Sequence, residues 1–471
     1  MPKKKTKSRS GASRAKKTSF GSFQTSETDA ILSQLDLFHP DIVEKKIIAR
    51  KNCNIRTIST LKSNVPLEIV IPPEGDYFID SSSFLIHADL KIKKKAADGT
   101  IKDLEVTDES KVAPVNLFSK CLFEDIRFDI QSVPIDLIST QRAYPIKAFI
   151  ETIASYGQDA AKGHLRCSYW LPDKPSKYAD SPVSNKSFKE RHKFISESKN
   201  VQICDILHTE LTSLSRYIVP GLNIKFKFSL NKIDSMIQTT DDTEYLYELS
   251  DFYLSFDRIL LDSELNSKIE TKMISSGAVY PINRGIIRSK GIDQGTPSIR
   301  WQGLYTGTLP DMVTVFMIDT DAVNGAIKKS IFNFQHYNLT EINLTVNSVV
   351  IPADKLKIDF QNDQVVRAYR HFFDNIGINF SNYPCLIDYE KFCNGMTLIP
   401  FDLTGDKCAQ YHTHEKRHGA ISLDIQFANP LPKNITIFAL CNYNDEFYIK
   451  GDINNRLVWL GKKLFNKWSI F

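Results

Sequence analysis

The sequence predicts an all-β protein built as two tandem β-sandwiches with short inserted helices. Three observations carry this reading. Apolar and polar residues alternate with period two in many short stretches, each closed by turn residues. Aromatic residues are abundant, with 29 Phe and 18 Tyr in 471 residues, and together with Ile and Val they favour extended chain. Finally, the order strands, helix, strands occurs twice with a boundary near residue 265. Each half holds about 200 residues, enough for an eight-stranded sandwich with long loops. Frequent short strands without alternating helices argue against a parallel α/β sheet.

Taken in order, residues 1–28 are rich in Ser, Thr, Gly and Lys, a composition that predicts a disordered basic tail. Residues 29–64 form an N-terminal arm in which "ILSQLDLF" (Ile31 to Phe38) has the pattern of a short helix or docking segment. The first sandwich covers 65–264. "LEIVIPP" is an apolar run stopped by Pro72 and Pro73, and "FLIHADLKIKKK" leads into Asp98-Gly99, a hairpin signal. "DIRFDI" places Ile126, Phe128 and Ile130 on one face. In "LNIKFKFSL", Leu222, Ile224, Phe226, Phe228 and Leu230 point one way while Lys225 and Lys227 point to water. "DFYLSFDRILL" alternates through Phe252, Leu254 and Phe256. Between these strands "YPIKAFIETIASYG" carries Ile146, Phe149, Ile150, Ile153 and Tyr156 at helical spacing, with Pro145 in the first turn and Gly157 at the stop.

The polar stretch from Leu261 to Gly277 reads as the connection to a second sandwich over 265–455. There "MVTVFMI" (Met312 to Ile318) is continuous and apolar, so buried on both faces, and "INLTV" alternates. "VVRAYRHFFDNIG" predicts a helix with Val366, Tyr369, Phe373 and Ile376 on its buried side. "TLIPFDL", "AISLDIQF" and "ITIFALC" complete the strands. Residues 456–471 are a C-terminal arm whose Leu460, Leu464 and Trp468 fall at helical spacing between lysines. Those three are candidates for docking on a neighbouring molecule, or on the arm's own domain.

Composition narrows the function. A hydrophobic share of 42% and a charged share of 24% fit a soluble globular chain. No apolar run reaches the roughly 18 residues of a membrane span, and the polar, basic start lacks the apolar core of a secretory signal. Eight scattered cysteines without C-x-x-C predict reduced thiols in a cytosolic or nuclear setting. The net charge of +5 is concentrated in residues 1–17, which hold eight Lys and Arg and no acid; without them the remainder stands at −3. Lys3, Lys4, Lys5, Lys7, Arg9, Arg14, Lys16 and Lys17 are therefore candidates for nuclear import or for contact with nucleic-acid phosphates. The competing reading is a solvated tail.

One motif suggests catalysis. His414, Glu415 and His418 spell H-E-x-x-H, the pattern of a zinc peptidase. Such a site needs both histidines on one face of a helix. Here Gly405 and Gly419 bracket the motif, and an alternating strand pattern starts at Ala420, so a polar loop is expected and no metal or cofactor is assigned. No Walker loop, G-x-S-x-G or G-x-G-x-x-G occurs. His87, among strand residues, reads as a core or edge histidine.

Several stretches resemble a known family. "EGDYFIDSSSFLIHADLKI", "VAPVN" (Val112 to Asn116) and "AYPIKAFIETIASYG" in the first half do so. In the second half "GAVYPINR", "NGAIKKSIFNFQHYNLTEINLTVNS", "IPFDLT" and "GAISLDIQFANPLPKNITIFA" follow in matching order. Over roughly residues 30 to 455 the chain is similar to the double jelly-roll major capsid proteins of Maverick/Polinton elements and adintovirus-type genomes. The resemblance implies two tandem eight-stranded jelly rolls per chain and homotrimers that form pseudo-hexagonal capsomers of an icosahedral shell. Its implied partners are neighbouring capsomers, a penton or vertex protein and, through the basic tail, packaged double-stranded DNA. The implied place is the virion, with the host nucleus or cytoplasm during assembly. Alternatives are a minor vertex capsid protein, a glycan-binding sandwich module, and, less favoured, a zinc hydrolase using His414 and His418. On the capsid reading the chain is not an enzyme.

Overall fold

A computed structural model describes residues 44–62, 65–135, 143–174, 185–378, 385–409 and 413–461. The chain divides into Met1–Lys45 and a compact unit, Lys46–Phe471, which holds every strand and helix named below.

The first half contributes β1 (Ile47–Arg56), β2 (Leu67–Ile71), β3 (Phe78–Lys95), β4 (Ile101–Asp103), β5 (Val112–Pro114), β6 (Phe123–Ile130), β7 (Val133–Pro134), β8 (Val201–Ile206), β9 (Ile224–Leu230), β10 (Ile237–Thr239) and β11 (Tyr245–Leu261). A five-stranded sheet runs β1-β11-β3-β4, with β8 also on β3, and a four-stranded sheet runs β2-β9-β6-β7. The short β10 and β5 pair separately. Along β9 the side chains of Ile224, Phe226 and Phe228 are buried, while Lys225 and Lys227 face outward, as the period-two pattern requires. The two sheets meet through aromatic contacts. Phe84 of β3 meets Phe226 of β9 edge-on at 5.7 Å, and Phe252 of β11 meets Phe228 of β9 at 5.2 Å.

The second half repeats the plan with β12 (Ala278–Ile292), β13 (Ser298–Thr308), β14 (Met312–Asp319), β15 (Leu339–Val346), β16 (Val349–Lys357), β17 (Ile399–Asp402), β18 (His418–Phe427), β19 (Ile435–Lys450) and β20 (Leu457–Leu460). Its five-stranded sheet runs β12-β19-β14-β17, with β20 also on β19, and its four-stranded sheet runs β13-β18-β15-β16. Every residue of β14 is buried, because it lies inside its sheet beneath the loops and helices of the seam. Each sandwich thus holds five and four strands among the described residues.

The strand β1 falls inside the stretch expected to be an arm. It pairs with β11 from Ile47↔Leu261 to Arg56↔Tyr253. The sequence hides it because β1 is an edge strand lying mostly in water, with Arg50, Lys51 and Arg56 in its middle and end. Arg50 bonds Asp257 at 2.8 Å, Lys51 bonds Glu74 at 2.7 Å, and Arg56 pairs with Asp251.

Helices punctuate the sheets: α1 (Phe118–Cys121), α2 (Ala143–Ser155), α3 (Gln158–Lys162), α4 (Lys186–His192), α5 (Ser263–Ser275), α6 (Thr320–Val323), α7 (Val366–Asn375) and α8 (Tyr389–Cys393). The predicted helix of the first half is α2, and Ile146, Phe149, Ile150 and Ile153 are buried as expected. The inter-sandwich connection is a helix rather than an irregular linker. In α5 the Asp262 carboxylate accepts from Leu265 N at 3.3 Å as a cap, and Leu265, Ile269 and Met273 recur every fourth residue. The buried face of α7 is rotated from the expected one. Ala368, Phe372 and Ile376 are buried, Tyr369 and Phe373 are half-buried, and Val366 is 67% exposed. The helix packs against β17, where the His371 ring meets Phe401 at 5.3 Å.

Two histidines make the fold acid-sensitive. Burial holds His336 at about 4, where its ring lies 3.8 Å from Phe360 and its Nδ1 accepts from Asn338 N at 2.9 Å. Burial also holds His371 at about 4. In the unfolded chain both return to about 6.5, so the unfolded state binds protons first as pH falls. Their stabilisation is complete above about pH 6.5 and is lost on the way down to about 4. Unfolding free energies from denaturant titrations between pH 7 and 4.5 should fall by on the order of 2 kcal/mol per histidine by pH 5. His336→Gln combined with His371→Gln should flatten that slope.

Candidate assembly surfaces and the histidine-rich loop

The two sandwiches are locked to each other. Phe149 of α2, fully buried, stacks on Phe332 of the second half at 4.4 Å and meets Phe334 edge-on at 5.5 Å. The Tyr280 hydroxyl of β12 donates to Tyr217 O at 2.9 Å and accepts from Val219 N at 3.1 Å. Backbone bonds also cross the seam, from Thr239 N to Ile327 O and from Leu386 N to Ile153 O, both at 2.9 Å. Arg456, 4% exposed, donates to Pro220 O at 3.3 Å and to Glu270 of α5 at 2.5 Å. At Gly221, with φ of +82°, a Cβ would collide with the Ile453 carbonyl. The two halves are thus joined across one seam by ring stacking, side-chain bonds and backbone bonds together.

Near this seam lies a chamber of about 520 Å³. Lys147, Glu151, His208 and Glu210 line one side, and Asn283, Asp311, Asn442 and Asn444 the other. The charges are spent on each other: Lys147 bonds Glu210 at 2.8 Å, and His208 Nδ1 meets Glu151 at 2.9 Å. Burial would raise the Glu151 carboxyl, but Lys147 and His208 outweigh it and hold it below its usual range. Behind the chamber Lys120 and Asp205 form a buried pair at 3.0 Å, and Ser168 donates to Asp205 at 2.8 Å. Burial pushes the Lys120 ammonium downward against the pull of Asp205. These groups act as structural ties between α1, α2 and β8.

A second buried clamp escaped sequence reasoning. Arg191 of α4, 1% exposed, donates to Asp173 through Nη1 at 2.8 Å and Nη2 at 3.3 Å. It also donates to Pro114 O and Leu171 O, each at 2.7 Å. Asn185 adds a bond to Asp173 at 2.7 Å. The pair lies 18 positions apart, so no local spacing signals it.

The HEKRH motif is not a metal-binding helix. Residues 413–417 are irregular, and His418 opens β18, where it pairs with Thr308. His414 Nε2 lies 2.8 Å from Asp406, Lys416 donates to Asn444 O at 2.5 Å, and Arg417 bonds Leu403 O. His414 and His418 thus sit on extended chain rather than on successive helical turns, and the loop is pinned by surface bonds. Glycines on both sides and the strand rhythm after Ala420 were the signals that foretold this.

The remaining sequence candidates divide. The eight tail cations, Ile31 to Phe38, Leu464 and Trp468 lie outside the described residues. Leu460 is described, and it corrects the expectation of helical spacing at that point. It ends strand β20 and pairs with Phe447 of β19, half-buried on its own sheet. Leu457 to Leu460, with Val458 and Trp459 at its centre, pairs with Phe447 to Lys450 of β19 beyond the stretch bonded to β14, and that pairing outweighs helical periodicity. No helix among the described residues is long and apolar enough to cross a membrane.

No family model matches the sequence. The uncharacterized protein F54H12.2 of Caenorhabditis elegans is 24% identical over 306 residues, covering 64% of this chain and 70% of that one. Similar architectures occur in solved structures. A chain of the Sputnik virophage particle superposes with a TM-score of 0.61 at 10% identity, over 92% of each chain. The Faustovirus major capsid protein gives 0.55 at 8% identity, over 89% of this chain and 92% of that one. VP54 of the virus PBCV-1 gives 0.54 at 10% identity, over 90% of this chain and 100% of that one. At these identities the likeness establishes architecture: the chain is an all-β tandem jelly roll.

Proposed function

We propose that this chain is the major capsid protein of an icosahedral virus or virus-like element of Maverick/Polinton or adintovirus type, and that it works by assembly rather than catalysis. The observation that carries the reading is the pair of jelly rolls fused through the Phe149 and Tyr280 seam into one unit. A single such chain supplies two upright sandwiches, and three copies in a ring supply six. In that ring the first sandwich of one chain meets the second sandwich of the next, a heterologous contact that closes on itself. Interfaces of this permanent kind bury on the order of 2,000 Å² or more. The partners are then two further copies, neighbouring capsomers and a vertex protein, with the virion as final location. Purified protein should run at the mass of three 53.7 kDa chains and show hexagonal outlines by negative-stain electron microscopy. A monomer at assembly concentrations, or a round dimer, would overturn the reading.

The tail cations Lys3 to Lys17 would face inward, toward packaged DNA. Deleting residues 1–17 should leave the trimer intact but lower affinity for duplex DNA at 0.1 M salt by on the order of ten-fold or more, with a shallower salt dependence. Unchanged binding would remove the DNA role, leaving import or solubility.

A further inference from the structure

Of the eight cysteines, Cys167 and Cys204 are the two that are exposed. They lie on neighbouring segments at the edge of the first large sheet. Strand β8 pairs with β3 along one side, from Leu85↔Ile206 to Leu90↔Val201, and has no further strand partner among the described residues. The turn His164–Ser168 packs against it. Two bonds fix the alignment: Ser168 Oγ donates to Asp205 at 2.8 Å, and the Tyr169 hydroxyl donates to Gln202 O at 2.6 Å. Burial alternates along β8, so Val201, Ile203 and Asp205 point inward while Gln202, Cys204 and Ile206 point outward. Cys167 precedes Ser168 and is likewise turned to solvent. Cα atoms of the turn come within 8 Å of those of β8, and the Ser168–Asp205 bond joins the residues next to Cys167 and Cys204. The other six are less accessible. Cys121 and Cys441 are buried, and Cys53, Cys385, Cys393 and Cys408 are half-buried.

We propose that Cys167 and Cys204 are a redox modification site, closing to an intramolecular disulfide when the protein meets a peroxide. One thiolate attacks a peroxide oxygen, the O–O bond breaks, a sulfenic acid forms and the first water leaves. The second sulfur displaces the sulfenic hydroxyl, the S–S bond forms and the second water leaves. Two thiols thus give two electrons and two protons to one peroxide. The bond staples the last strand of the sheet to the turn beside it and encloses the Arg191–Asp173 clamp within its loop. That loop constrains the unfolded chain, which raises resistance to heat.

The test treats the full-length protein with one equivalent of hydrogen peroxide and counts thiols after denaturation. Two of eight should be lost, with a mass decrease of about 2 Da, no dimer on a non-reducing gel, and a linked peptide pair containing Cys167 and Cys204. Cys167→Ser and Cys204→Ser should each abolish the link, with trimer mass and unoxidised melting temperature as controls for folding. Sulfinic acids formed separately at the two positions, crosslinks between chains, or loss of two thiols in Cys204→Ser would overturn the proposal.

Discussion

Arg191→Met is expected to be among the most damaging single substitutions, at about 3–5 kcal/mol by denaturant titration. The guanidinium is 1% exposed and bonds Asp173 twice and two backbone carbonyls. Removing it leaves a carboxylate, itself 9% exposed, with the Asn185 amide as its remaining side-chain bond in this clamp. The cost arises chiefly from the stranded charge rather than from the lost attraction. Arg191→Met combined with Asp173→Leu should therefore recover a large part of the loss, and a double mutant as unstable as the single would refute the stranded-charge account. Arg191→Lys keeps the charge but not the planar fork, so an intermediate loss is expected.

Phe149→Ala comes next, at about 3–5 kcal/mol. The ring is fully buried, lies 5.9 Å from Trp170 in its own half, and stacks on Phe332 of the other. The cavity would open at the seam, where neither sandwich can collapse independently to fill it. The expected signature is loss of cooperativity: two melting transitions in place of one, with tryptophan fluorescence and near-ultraviolet dichroism separating. A single sharp transition, merely displaced, would mean that Tyr280, Arg456 and the backbone bonds suffice to couple the halves.

The sequence carried the architecture where burial is one-sided. The Phe226 and Phe228 stretch of β9, the continuous apolar run of β14 and the spacing of Ile146, Phe149 and Ile153 all state which face is inside, and the structure agrees. It carried less where exposure blurs the pattern. The strand β1 looks polar because it lies on an edge, and α5 looks like a linker because Leu265, Ile269 and Met273 alone make its stripe, its fourth apolar residue, Ile274, being exposed. The rotation of α7 went unread because Tyr369 and Phe373 are apolar enough to suggest a buried face and yet stay half in water. The charged ties were not legible at all. Lys120 with Asp205 and Arg191 with Asp173 are distant pairs, and a lone Lys or Arg in sequence carries no mark of burial. For the functional elements, the sequence argued correctly that HEKRH is not a helix, although β18 begins at His418, two residues before the expected Ala420. It could not foresee that Leu460 would be drawn into a sheet.

The charged rim of β1 has a consequence for association through strand edges. A ten-residue strand edge with no further strand partner among the described residues invites another strand to zip on without limit. Arg50, Lys51 and Arg56 are tethered to Asp257, Glu74 and Asp251, so an incoming strand would meet ion pairs at the middle and the end of β1. Growth by ribbon extension is thereby discouraged, and joints between molecules are left to loops and side-chain surfaces.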